Sequence, residues 1–126
     1  MFIYIKQIFI LLLITMCIGF SSPVKSNNEN SDRDNLLNCS AYHLKAKLYY
    51  QYFDKKKYIY HDEYFNNLKG IFLKKYPGVS QTNFILSVTS IMESWEYLAQ
   101  EKGQSFASKK IDNDYKDFCN SIINKL

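Results

Sequence analysis

Hydrophobic residues recur at steps of three and four along most of the chain beyond residue 33, which is the spacing of amphipathic helices. Four such segments follow one another, over about residues 34–53, 58–76, 80–102 and 105–124. The sequences that separate them are polar or break helices: Asp54-Lys55-Lys56-Lys57, Pro77-Gly78 and Gly103. No segment shows the strict alternation of a half-buried strand. The pattern predicts an all-α domain of four helices.

The first segment is apolar on two sides, and Asp34 is its predicted N-cap. One predicted stripe consists of Leu37, Ala41, Leu44, Leu48 and Tyr52. The second consists of Cys39, Tyr42, Ala46, Tyr49, Tyr50 and Phe53, which leaves a narrow polar sector at His43, Lys47 and Gln51. A helix that is apolar over so much of its surface is covered on two sides, or it presents its aromatic stripe to a partner.

The remaining helices have one clear apolar face each. Ser80 is a favourable N-cap for the third helix, and Gly103 stands where that helix should end. The predicted core positions of the second helix are Phe65, Leu68, Phe72 and Tyr76. Those of the third are Phe84, Ile85, Val88, Ile91, Met92, Trp95, Leu98 and Ala99, and those of the fourth are Ile111, Tyr115, Phe118, Ile122 and Leu126.

The first 26 residues are typical of a secretory signal peptide, with Lys6 before an apolar run from Ile8 to Phe20 and small residues near a cleavage point after Ser26. Two alternatives are an uncleaved anchor and lipidation at Cys17. Residues 27–33 are polar and predict a flexible lead-in, so the helical domain is expected over residues 34–126.

Charge and composition exclude one class of function. The 126-residue chain is rich in Lys, Asn, Ile, Tyr and Phe, which AT-rich codons encode, so the tyrosine content alone does not indicate a function. Residues 27–126 contain 14 basic and 12 acidic residues. A net charge of +2 without a clustered basic face argues against nucleic-acid binding.

Two cysteines, Cys39 and Cys119, remain after the predicted signal peptide is removed. An even number of cysteines in an exported chain predicts one disulfide, here between the first and last helices. A metal or redox site is the alternative, but no CxxC occurs, and His43 and His61 have no spacing that suggests a shared cation.

Short connections between four helices favour an up-down-up-down bundle. In that order the start of the first helix and the end of the fourth lie at the same end of the bundle. Cys39 and Cys119 occupy these two places. We therefore predict a four-helix up-down bundle that one disulfide holds together.

The sequence contains no enzyme signature and predicts no cofactor and no metal. His61, Asp62 and Glu63 form the densest titratable cluster, but adjacent residues on a helix point in different directions and do not share a site. A noncovalent haem would need inward His or Met side chains, for which His43 in the polar sector and Met92 are the only candidates.

Six tyrosines and two phenylalanines fall within residues 49–65. Most are expected in the core or at its boundary, with hydroxyls that reach the rim. The alternative is an aromatic binding patch, because tyrosine is favoured in protein interfaces. The candidate binding residues are Tyr42, Tyr49, Tyr50 and Phe53.

The segments LLNCSAYHLKAKL and DYKDFCNSIINKL resemble those of small exported bacterial all-helical proteins of unknown function, which have one cysteine in the first helix and one in the last. The chain is also similar in size, helicity and disulfide use to periplasmic immunity proteins that block toxins from competing bacteria. These resemblances imply an all-helical fold and a location outside the cytoplasm.

The functional expectation is an exported, non-enzymatic protein of the bacterial envelope, periplasmic or secreted, that binds another protein as an inhibitor, immunity factor or assembly factor. No membrane contact is expected after signal cleavage. The alternative is a small-ligand carrier with an apolar cleft lined by Tyr42, Tyr49, Tyr50 and Trp95.

Overall fold

A computed structural model describes residues 27–125 of the chain, and within that range the fold is all-α. The helices are α1 (Asn27–Tyr50), α2 (Lys55–Lys75), α3 (Gln81–Lys102) and α4 (Gln104–Ile123). The predicted signal peptide, with Cys17, lies outside the described residues, and so does Leu126.

Helix α1 lies at the centre of the packing, because it contacts each of the other three helices. Its residues from Leu36 to His43 are the most enclosed, and Cys39, Ser40, Ala41 and His43 are fully buried. Buried rings of α2 and α3 complete this part of the core: Phe72 lies 5.1 Å from Phe84 and Phe65 lies 6.2 Å from it, between ring centroids. The prediction that the first helix is enclosed is therefore correct for its middle third.

The predicted limits of α3 are confirmed. The Ser80 side chain accepts a hydrogen bond from the Asn83 N–H at 3.0 Å, which satisfies one of the free donors at the start of the helix. Gly103 ends the helix with φ of 92°, a conformation that suits glycine because it has no Cβ. Its N–H donates to the Ala99 carbonyl oxygen.

The predicted start of α1 at Asp34 is wrong, because the helix begins at Asn27 and includes residues 27–33, the expected lead-in. This stretch contains neither glycine nor proline, and it contacts the end of α2. Asp32 forms an ion pair with Lys75 at 2.9 Å, and the Arg33 guanidinium lies 5.8 Å from the Tyr76 ring centroid. These tertiary contacts extend the helix beyond its apolar pattern.

Cys39 on α1 and Cys119 on α4 lie at disulfide distance, with sulfurs 2.11 Å apart and Cα atoms 5.3 Å apart. Both are fully buried. Such a pair is compatible with an oxidising environment. Over residues 27–125, no helix combines the length and apolar character that a membrane crossing requires.

Candidate functional site

The connection between α1 and α2 is a tight turn whose hydrogen bonds fix the path of the chain. The N–H groups of Phe53 and Asp54 both donate to the Tyr50 carbonyl oxygen. Asp54 is then the N-cap of α2, and its carboxylate accepts from the Lys57 N–H at 3.1 Å. The lysines predicted as a connection therefore belong to the first turn of α2, because Asp54 caps the helix immediately before them.

Four apolar side chains at this turn are exposed, and we refer to them together as the aromatic corner: Leu48, Tyr49, Tyr52 and Phe53. The exposed fractions are 65% for Tyr49, 82% for Tyr52 and 73% for Phe53. The prediction that Leu48 and Tyr52 continue the inner stripe of α1 is wrong. The helix ends at Tyr50, so the turn directs Tyr52 to solvent instead of toward the other helices.

A run of three exposed lysines, Lys55, Lys56 and Lys57, borders the aromatic corner. The first turn of α2 contains no acidic residue, so these cations lie at the positive end of the helix dipole. Such placement is unfavourable to a helix by about 0.3 to 1 kcal/mol per charge at low ionic strength. The Lys57 ammonium lies 4.8 Å from the Tyr50 ring centroid, which joins the lysine run to the rings.

Beneath the corner, His43 on α1 meets His61 on α2, and their Nδ1 atoms lie 2.9 Å apart. One imidazole donates and the other accepts. The His43 ring also stacks on Tyr64 at 5.2 Å between centroids, and the His61 ring stacks on Tyr50 at 5.7 Å with an angle of 5° between the ring planes. The Nε2 atom of His43 is buried without a hydrogen-bond partner among the described residues.

Burial keeps both imidazoles neutral at neutral pH. Burial, and then the charge of the neighbouring His61, lowers the pKa of His43 to about 4. Burial also lowers the pKa of His61, with a second contribution from the positive charge of Lys57. The lysine run and the histidine pair are therefore electrostatically connected.

Ring contacts form a continuous path from solvent to the histidine pair. Phe53 contacts Tyr49 at 5.4 Å between centroids, and Tyr49 contacts Tyr50 at 5.0 Å. Tyr50 then stacks on His61. The exposed rings thus rest on half-buried and buried ones, which holds the aromatic corner in a defined position.

The structure brings together only part of the predicted binding set of Tyr42, Tyr49, Tyr50 and Phe53. Tyr49 and Phe53 are exposed at the corner, whereas Tyr50 is half-buried and supports them. Tyr42 faces α4, and its hydroxyl donates to an Asp112 carboxylate oxygen at 3.4 Å. Burial, and then the Asp112 charge, raises the pKa of Tyr42 to about 12.

Sequence reasoning missed the histidine pair and placed His43 in a polar sector, which is wrong because that side chain is fully buried. The spacing of His43 and His61, which suggests no shared cation, does indicate a contact between them. The two residues lie nine positions before and after Tyr52. In a helical hairpin with its turn at Tyr52, positions equally far from the turn face each other, and this symmetry was the signal that could have found the pair.

The three residues of the titratable cluster have separate environments. His61 contacts His43, Asp62 forms an ion pair with Lys47 of α1, and Glu63 is exposed. Met92, the other haem-ligand candidate, is half-buried and packs against the core. Over residues 27–125, no group of three or more His, Cys, Asp or Glu side chains is arranged to hold a metal ion.

A partly open groove of about 440 Å³ lies between α2 and the end of α4. Its lining consists of Asn66, Asn67, Leu68, Gly70, Ile71, Lys74 and Ile123. None of the four rings predicted for a ligand cleft is among these residues. Trp95 lies instead in the core, where its ring packs 5.3 Å from that of Tyr115.

Comparison with known proteins adds no relative. No protein-family model, no curated protein and no solved structure matches the chain.

Proposed function

We propose that this chain is an exported, non-enzymatic helical protein of the bacterial envelope that binds another protein through the aromatic corner. The observation that best supports this proposal is the exposure of Tyr49, Tyr52 and Phe53 at a turn that hydrogen bonds and ring contacts hold in place. Tyrosine and phenylalanine rings bury a large apolar area against a partner. Their side chains have few rotatable bonds, so little conformational entropy is lost when they are fixed in a complex. Such a protein would act as an inhibitor, an immunity factor or an assembly factor.

Export is part of this proposal. The signal-like residues 1–26 and the Cys39 and Cys119 pair at disulfide distance support it, because disulfides persist in oxidising compartments. The resemblance to small exported bacterial helical proteins supports the same location. The binding role does not depend on whether the chain is periplasmic or secreted.

An up-down order of the helices is also part of the proposal. Lys47 near the end of α1 pairs with Asp62 near the start of α2, whereas Asp32 near the start of α1 pairs with Lys75 at the end of α2. The short connections between the helices agree with this order. In such a bundle the aromatic corner lies at one end, where a partner can approach it from several directions.

The test is capture of partners from the native envelope with a tagged, complete chain. A single protein in stoichiometric amount should copurify with the wild type, and the double change Tyr52→Ser with Phe53→Ser should abolish its recovery. Phe106→Ser on α4 is the matched control, because Phe106 is also an exposed ring and lies outside the corner. Equal recovery with all three chains would contradict the proposal.

A small-ligand carrier is the second candidate, and the groove beside Gly70 is the observation that favours it. Its volume falls within the range of small-molecule sites, although it is partly open and lacks aromatic lining. A bound small molecule in the purified protein, detected by mass spectrometry after denaturation, would favour this candidate. Loss of that molecule in a Gly70→Leu variant would place it in the groove.

A further inference from the structure

Charge is segregated between two helices that contact each other only slightly. Helix α2 contains six lysines and two acidic residues, whereas α3 contains three glutamates and one lysine. The net charges are therefore +4 on α2 and −2 on α3, while α1 and α4 each have equal numbers of acidic and basic residues. Among residues 30–125, no ion pair joins α2 to α3, so their charges are not neutralised against each other.

The outer face of α3 combines negative charge with exposed apolar side chains, and we call it the acidic stripe: Leu86, Glu93, Tyr97 and Glu101. The steps of seven, four and four residues place these side chains on one side of the helix. Leu86 is 61% exposed and Tyr97 is 62% exposed. Neither Glu93 nor Glu101 forms an ion pair with another described residue.

We propose that the aromatic corner of one copy of this chain docks on the acidic stripe of a second copy. This inference rests on the proposed binding role of the aromatic corner, and it names the partner. The two surfaces are complementary: exposed rings bordered by Lys55 and Lys56 would meet an exposed ring bordered by Glu93 and Glu101. Apolar contact supplies affinity, and the charges fix orientation and reject other partners.

In an isolated chain, neither the lysine run nor the exposed rings of the two surfaces contribute to the stability of the fold. The lysine run opposes the dipole of α2, and the exposed rings of both surfaces remain in contact with water. An anionic membrane would also attract the lysines, but basic clusters that recognise such membranes usually contain about four to eight cations. The three lysines of this run are fewer, and the rings beside them are mainly tyrosines, which favour protein interfaces.

The contact joins two different surfaces, so each copy keeps an unused corner or stripe unless a ring closes. Association should therefore increase with protein concentration. It should also weaken as salt is added, because the charges at the edge of the contact are exposed to solvent.

The experiment measures sedimentation velocity of the oxidised protein, expressed from the complete sequence, over a range of concentrations at low and high salt. The wild type should form species larger than a monomer at low salt. Lys55→Glu with Lys56→Glu should remove those species, and Glu93→Lys with Glu101→Lys should do the same. Mixing the two variants should restore a larger species that contains both. Lys109→Glu on α4 is the matched control and should behave as the wild type, because Lys109 is exposed outside both surfaces.

A wild type that stays monomeric at every concentration would overturn the inference. Association that survives both charge reversals, or that the Lys109 control abolishes equally, would also overturn it. Circular dichroism of each variant separates loss of contact from loss of fold.

If the chain is monomeric but another envelope protein is captured through Tyr52 and Phe53, the inference fails and the proposed function stands. If neither association nor capture depends on the corner, both fail. Binding of the chain to vesicles of phosphatidylglycerol, lost with the lysine reversal and without self-association, would assign the corner to a membrane instead.

Discussion

The imidazoles of His43 and His61 face each other across the interface of α1 and α2, with 2.9 Å between their Nδ1 atoms. The rings packed around them are those of Tyr42, Tyr50, Tyr60 and Tyr64, and the Lys57 cation acts on His61. No carboxylate contacts either imidazole among the described residues. Protonation of the pair would therefore place charge in an environment that offers little compensation.

Stability should fall as the solution is acidified through the range below neutral pH. The pKa of His43 is about 4 in the folded chain, whereas histidine in an unfolded chain titrates near 6.5. Between these values the unfolded state binds more protons, so the free energy of unfolding decreases from pH about 6.5 to about 4, by up to about 3 kcal/mol. The lowered pKa of His61 acts in the same direction. Urea denaturation at pH 7.0, 5.5 and 4.5, values chosen to span that range, measures the loss.

A His43→Phe variant provides the control for this titration. The phenyl ring preserves the stacking on Tyr64 and removes the titrating group. The carboxylates of the chain contribute equally to both proteins, so the difference between the two pH profiles reports the titration of the histidine pair, because His61 also loses its hydrogen-bond partner in the variant. If the free energies of unfolding of the two proteins changed in parallel with pH, folding would not lower the pKa of His43.

Reduction of the Cys39 and Cys119 pair should destabilise the protein strongly. The two residues are 80 positions apart in sequence, and closing a loop of that length contributes at most about 4 to 5 kcal/mol in the chain-entropy model. Thermal unfolding with and without reductant measures the effect. The double variant Cys39→Ala with Cys119→Ala should unfold at the same low temperature in both conditions. Rapid labelling of both thiols in the native, unreduced protein would contradict the bond.

Two glycines should respond to alanine in opposite directions. Gly103→Ala should lower stability by about 1 to 3 kcal/mol, because φ of 92° is strained for any residue with a Cβ. Gly70→Ala should raise stability by about 1 kcal/mol, because Gly70 lies within α2 and no atom outside its immediate chain surroundings lies within 4 Å of an added Cβ. Chemical denaturation of the two variants measures both changes, and a shift of the same sign in both would contradict the local geometry.

Truncation of the core ring Phe84 should cost far more than truncation of a surface ring. Phe84 is fully buried and contacts Phe65 and Phe72, so Phe84→Ala should lose about 3 to 5 kcal/mol. Phe106→Ala is the control, and half of that ring is already exposed. A conservative Phe84→Leu change keeps the comparison measurable if the alanine variant does not fold. Similar losses at positions 84 and 106 would show that the core is centred elsewhere.

Local signals predicted the ends of α3 correctly because each acts within a few residues. Ser80 needs only the N–H of Asn83, and Gly103 needs only its own backbone freedom. The cysteine pair was also predicted, since the two cysteines that follow the predicted signal peptide leave one intramolecular choice. In contrast, the start of α1 depends on Lys75 and Tyr76 at the far end of α2, which local periodicity does not report.

The candidate site was predicted only in outline for the same reason. Periodicity placed Leu48 and Tyr52 in one stripe. Residues of such a stripe are buried together only if the helix continues through all of them and a neighbouring helix covers them. The chain leaves α1 at Tyr50, so Tyr52 joins the exposed corner. The polar sector that includes His43 follows from spacing within α1 alone. That spacing takes no account of His61 on α2, whose ring supplies the hydrogen bond that allows His43 to be buried. The packing of α1 against α2 therefore determines both the exposure of Tyr52 and the burial of His43.

With Cys39 and Cys119 joined, the backbone between them forms a closed circuit that includes all of α2 and α3. The exposed Pro77 and Gly78 lie within it, in a short link where a peptidase could cut. A single cut there would leave two polypeptides held by the sulfur bridge, with α2 still packed on α1 and α3 on α4. A molecule nicked in this way would migrate as one species on a nonreducing gel and would separate into two only after reductant is added.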